Sequence, residues 1–92
     1  MEQHEFIWMG NKLGVQVIQG EGGITSIQLR PKIVVSHNYK KKNLTQVVFI
    51  EDGAKYNIGS KYELESVIAL HLSNEHLETV LRSFCEKNLE KA

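Results

Sequence analysis

The sequence is poor in the features that announce a function. It has one cysteine, Cys85, among 92 residues, so an internal disulfide is excluded. One thiol and four scattered histidines also leave few ligands for a structural zinc site. Charge of either sign is not in excess, with 11 basic and 11 acidic residues. That balance argues against a nucleic-acid mimic and against a strongly basic, non-specific nucleic-acid binder, since both need a large net field. Any basic grip must be local. No apolar run approaches the roughly 20 residues that span a bilayer, and no membrane partner is expected. The start, MEQHEFIWMG, is too short and too acidic for the apolar region of a secretory signal. Together with the single thiol, this gives a cytoplasmic expectation.

Catalytic patterns are missing too. The stretch GEGG at 20–23 has neither the spacing of a phosphate-binding loop nor its following Lys-Ser/Thr. His71 and His76 are five apart, poor spacing for sharing one helix face. Cys85 lies on an apolar helical stripe, where a buried inert thiol is expected rather than a nucleophile. No enzyme, cofactor or metal is expected. A chain of this length forms one domain, residues 1–92, with a modest core.

What is present is a change of period at Gly59. Residues 4–58 read as an antiparallel sheet of about six short strands. EFIWM meets a hairpin-turn dipeptide at Gly10-Asn11, and KLGVQVI follows. Beyond the glycine-rich turn at 19–23 come ITSIQL, a bend at Pro31, KIVVSHN, LTQVVFI, a turn at Glu51-Asp52-Gly53, and AKYNI. After Gly59, Ser60 and Glu63 form a capping box, and Leu64, Val67, Ile68 and His71 repeat at helical spacing. Ser73 is a cap for a second helix with the stripe Leu77, Val80, Leu81, Phe84, Cys85 and Leu89. The predicted fold is α+β: the sheet, then two amphipathic helices at about 60–72 and 74–90 packed on one face. In FIWM, IVV and VVFI apolar groups point both ways, so a second sheet face needs cover. Self-association as a homodimer or higher oligomer is therefore expected. Trp8 is assigned to the core, with an edge position as the alternative.

The most distinctive segment is SHNYKKKNL, residues 36–44. An apolar strand ends in His37 and Asn38, then Tyr39 precedes Lys40, Lys41 and Lys42. The lysines suit phosphate, and His37 and Asn38 suit directional hydrogen bonds to a base or ribose. Tyr56 and Asn57 would add stacking and a further amide. A charged hairpin tip that only keeps an edge soluble is the competing reading. Arg30 and Lys32 lie at the other end of the same strand, about 25–30 Å away at ~3.3 Å per residue. They can join the lysines around one small ligand only across an oligomer interface.

The functional expectation is a non-enzymatic binding protein that holds an anionic ligand, a nucleotide or cyclic nucleotide, at a homo-oligomer interface. By analogy of size, it would suit a phage or mobile-element accessory (counter-defence) protein. Two further classes stand beside it: a DNA-binding regulator using the lysine loop, and a protein–protein inhibitor whose sheet face binds a host protein. The segment LTQVVFIEDGAKYNIGSKYELESVI resembles two bacterial regulator families, the LytTR DNA-binding domain and the C-terminal part of a competence transcription factor. The resemblance covers about a quarter of the chain and rests on Phe49, Gly53 and the helix from Ser60. It implies strand, turn, strand and helix in that order. The basic base-reading residues of those families have no counterpart here.

Overall fold

A computed structural model describes residues 2–88, 90 and 91. The chain runs α1 (Gln3–Lys12), β1 (Val17–Gln19), β2 (Ile24–Arg30), β3 (Ile33–Asn38), β4 (Leu44–Phe49), β5 (Ala54–Ile58), α2 (Lys61–Ser73), α3 (Leu77–Asn88) and β6 (Glu90–Lys91). All strands join one antiparallel sheet in sequence order. The expected plan, an antiparallel sheet followed by two C-terminal helices in an α+β fold, is what the structure shows. Within residues 4–58 the strands number five, and the sixth is the two-residue β6 beside β5. Leu89 lies outside the described residues.

The first expected strand is a helix. Phe6, Met9 and Gly10 are buried and Leu13 packs against the core, a stripe at i, i+3, i+4 and i+7. Gly10 is no hairpin turn: a Cβ there would collide with the Val17 side chain, so glycine lets α1 settle onto β1. Gly14, at φ 75°, ends the helix instead. Gly14 N–H donates to the Asn11 carbonyl (3.1 Å) and Val15 N–H to the Gly10 carbonyl (3.0 Å), the paired bonds of a Schellman cap.

The sheet has one covered face. Thr25, Ile27 and Leu29 of β2, Ile33, Val35 and His37 of β3, Thr45, Val47 and Phe49 of β4, and Tyr56 and Ile58 of β5 are buried. Leu64, Val67 and Ile68 of α2 and Leu77, Leu81 and Cys85 of α3 join the apolar members of this set in one core with Phe6 and Met9. Ser60 Oγ accepts from Glu63 N–H (3.3 Å), the first bond of the expected capping box, while Glu63 Oε2 accepts from Gly59 N–H (2.7 Å), one residue before the cap rather than at it. Ser73 ends α2 rather than capping α3. Asn74 shapes the break by accepting from His76 N–H through Oδ1 (2.8 Å).

The second sheet face is not the apolar surface expected. Ser26, Ser36, Gln46 and Asn57 are cross-strand neighbours in one polar row, and Gln46 donates to Asn57 Oδ1 (3.0 Å). The apolar row Val34–Val48 lies beside it. Apart from a register shift at Gln28/Arg30, period-two alternation therefore holds across the sheet, and this face lacks the continuous apolar area on which self-association was predicted.

Candidate functional site

The lysine loop, residues 39–43, is built from two consecutive turns. Lys41 N–H donates to the Asn38 carbonyl (3.3 Å) and Leu44 N–H to the Lys41 carbonyl (3.0 Å). Asn38 Oδ1 also accepts from the N–H groups of Lys40 (3.0 Å) and Lys41 (3.1 Å), so its side chain is spent on shaping the loop. Tyr39 N–H donates to the Gly23 carbonyl (3.1 Å), tying the loop to the β1–β2 turn. The alkyl stem of Lys40 crosses Gly23, where a Cβ would come within 2.7 Å of Lys40 Cγ. Lys42 and Asn43 both sit in the left-handed region, at φ 53° and 52°. Asparagine tolerates that backbone, but lysine at such a turn position costs conformational energy. Lys40, Lys41 and Lys42 are exposed, and among the described residues none has a carboxylate within ion-pair distance.

The other residues expected at this site are distributed differently. His37 is fully buried on the covered face, with its ring stacked on Phe6 (centroids 5.4 Å apart, planes 19° apart). Its Nδ1 is 2.8 Å from Thr45 Oγ1, and its Nε2 is buried without a hydrogen-bond partner. Burial pushes the imidazole below its ordinary pKa. Thr25, His37 and Thr45 form a cross-strand row, and Gln3 of α1 donates to Thr25 Oγ1 (3.1 Å). This polar row anchors the start of α1 and does not face the lysines' solvent side. Tyr56 is also core, edge-on to Phe49 (5.7 Å), while Asn57 faces away on the open sheet surface. Alternation already carried this signal: Ile33, Val35 and His37 share one face, as do Ala54, Tyr56 and Ile58.

Arg30 and Lys32 stand at the far end of β3, as the strand length required. A bulge at Gln28/Arg30 breaks the alternation there. Arg30 Nε is buried without a partner, and its charge adds to burial in lowering the His71 pKa. Lys32 pairs with Glu51 at 3.0 Å. Nearby, Arg82 of α3 reaches Asp52 (2.5 Å) and Glu78 (3.9 Å) and lies over the Phe49 ring (4.5 Å). Asp52 is held below the usual carboxylate range, first by the Ala54 N–H and then by Arg82.

Burial raises the Cys85 thiol to about 12, so it is protonated and inert as a nucleophile at neutral pH. A metal would find Glu2, His4 and Glu5, whose ligand atoms lie within 4.8 Å of one another. Glu2 and His4 are solvent-exposed, and exposed acidic groups commonly cluster in this way without a metal. No helix among the described residues is long and apolar enough to cross a membrane.

One surface escaped the sequence reading. Trp8, expected in the core, is 61% exposed on the outer side of α1, and Tyr62 on α2 is 71% exposed. Both line a groove of about 230 Å³ between the two helices. The signal was present: Trp8 falls off the Phe6–Met9–Leu13 stripe once the segment is read at helical period.

No protein-family model, curated protein or solved structure matches this chain. The order of strand, turn, strand and helix across β4, β5 and α2 is present, and it carries no family assignment.

Proposed function

We propose that the protein is a non-enzymatic binding protein whose lysine loop grips the phosphates of a nucleic acid. The observation that carries this reading is the loop's geometry. Three consecutive lysines are presented without carboxylate partners among the described residues, and one of them, Lys42, is held at φ 53°. A turn that only needed to close the hairpin would be more stable with glycine or asparagine at that position. Strain retained at a lysine favours a role for its charge.

A row of phosphates suits this tip better than a single nucleotide does. The groups that would read a base or ribose are engaged elsewhere: His37 and Tyr56 are in the core, Asn38 shapes the loop, and Asn57 bonds Gln46. What remains is point charge beside the half-exposed ring of Tyr39. Point charges position a polyanion without specifying its sequence.

The test is a titration of the parent and the Lys40→Ala/Lys41→Ala/Lys42→Ala variant with a DNA duplex, a single strand and a free nucleotide. The parent binds the polyanions, and the variant loses at least tenfold in affinity while melting at the parent's temperature. Binding of the free nucleotide alone would favour an enclosed anionic-ligand site. Equal binding by both proteins would leave the loop as a solvated turn.

A further inference from the structure

The helical layer carries the two most exposed large apolar side chains among the described residues, Tyr62 at 71% and Trp8 at 61%. They are neighbours across one groove rather than scattered, and buried Met9 forms part of its lining. Scattered exposed apolar groups need no explanation, but paired exposed aromatics in one groove mark an interaction surface.

The rim of the groove selects the partner. It holds two acidic residues, Glu5 and Glu65, and two basic ones, Lys12 and Lys61. Lys12 meets Glu65 at 3.7 Å and sits 5.1 Å from the Trp8 ring centre, while Lys61 is 5.5 Å from that of Tyr62. A polyanion or a polycation would be repelled by half of this rim. A second copy turned through a two-fold axis brings lysines against glutamates in both directions, because an isologous patch with both signs is its own complement.

The available area fits as well. A covered Trp or Tyr buries roughly 150–250 Å². At their exposures, the four rings of a pair would contribute about 400–660 Å², a third to just over a half of the ~1,200 Å² at which specific interfaces begin. The outer surfaces of α1 and α2, about 15 and 20 Å long, supply the remainder. The open sheet face is the weaker candidate, because the polar row Ser26–Ser36–Gln46–Asn57 crosses it.

We infer that the Trp8–Tyr62 surface of α1 and α2 is where a second copy of this chain docks. This inference does not rest on the lysine loop, and its test contains no nucleic acid. Trp8 is the only tryptophan in the chain, so its emission reports the interface directly.

Sedimentation of the parent over a rising concentration series, with tryptophan emission recorded in parallel, tests it. The mass moves from 10.5 kDa towards twice that value, and the emission shifts to shorter wavelength as the ring leaves water. Tyr62→Glu places an acid in the first turn of α2, where the helix tolerates it, so this variant folds. It self-associates at least tenfold more weakly than the parent, with an unshifted Trp8 emission. Trp8→Glu gives the same loss of mass, and Val48→Lys on the open sheet face leaves association intact. A parent that stays monomeric throughout overturns the inference. So does a dimer indifferent to Tyr62→Glu, or one that Val48→Lys dissolves.

Discussion

Strand β4 runs between two charged hairpin tips, the lysine loop at 39–43 and the turn at Glu51–Gly53. Both are made of polar residues, and both use a side chain to hold the turn: Asn38 Oδ1 at one, Asp52 Oδ1 accepting from Ala54 N–H (3.0 Å) at the other. Their charges are handled in opposite ways. At the second tip, Glu51 pairs with Lys32, and Asp52 pairs with an Arg82 that also lies on Phe49. At the first, three lysines meet no carboxylate among the described residues. The difference separates charge that fastens α3 to the sheet from charge that meets no carboxylate among the described residues, and only the second kind is available for the proposed phosphate grip. Exposure alone would not make that distinction, since Lys32, Glu51 and Asp52 are exposed too.

The largest expected effect comes from the residue that sits beside the lysines in sequence but inside the core in space. His37→Ala removes a buried ring stacked on Phe6 and should destabilise the protein by about 2–4 kcal/mol, in the range of large-to-small core substitutions. A chemical-denaturation midpoint equal to the parent's would contradict the burial. The same ring sets a pH dependence. Burial lowers the folded-state pKa of His37 and His71 below 6.5, so the fold keeps them neutral while the unfolded chain takes up protons. Stability is therefore full above about pH 6.5 and is lost as pH falls below it, by up to about 1.4 kcal/mol per pH unit for each group. His37→Gln should remove one group's share of that slope, and an unchanged slope would assign it elsewhere.

Next in size is Arg82→Ala, which breaks the tip where charge is structural. Losing the contact with Phe49 and the ion pairs should cost about 1–2 kcal/mol. Nucleic-acid affinity should stay the same. A loss of affinity with an unchanged melt would reverse the roles of the two tips. A smaller effect of opposite sign is expected at Lys42→Gly. Relieving the left-handed lysine should stabilise the hairpin by about 0.5–1 kcal/mol and weaken phosphate binding. A lower melting temperature would show that Lys42 is not strained. Smallest of all, Lys32→Ala should leave the melt unmoved, because an exposed ion pair contributes little.

Much of this contrast could be read in the sequence. The lysine run, the Glu51–Gly53 turn, the capping box at Ser60 and the apolar stripes of α2 and α3 all follow from local patterns. The first helix did not, because FIWM is too short to separate the two periods and Gly10-Asn11 looks like a hairpin turn. Its identity is fixed by tertiary contact: Gly10 lets the helix approach Val17, and Phe6 covers His37. The apparent two-faced strands misled for a related reason. Val34 and Val48 do face outward, but the pairing that sets Ser26, Ser36, Gln46 and Asn57 in one row depends on register between strands. His37 was legible as an inward residue by strict alternation, and its polarity drew the functional reading.

The central claim is that the lysine-loop charges, unpaired among the described residues, bind phosphates, and salt dependence tests it most directly. Three lysine–phosphate contacts on a duplex give a slope of about −2 to −3 in log affinity against log salt concentration. The parent protein should show that slope, and the triple Lys→Ala variant a slope near zero. A parent whose affinity does not change with salt, or a variant that keeps the parent's slope, would contradict it.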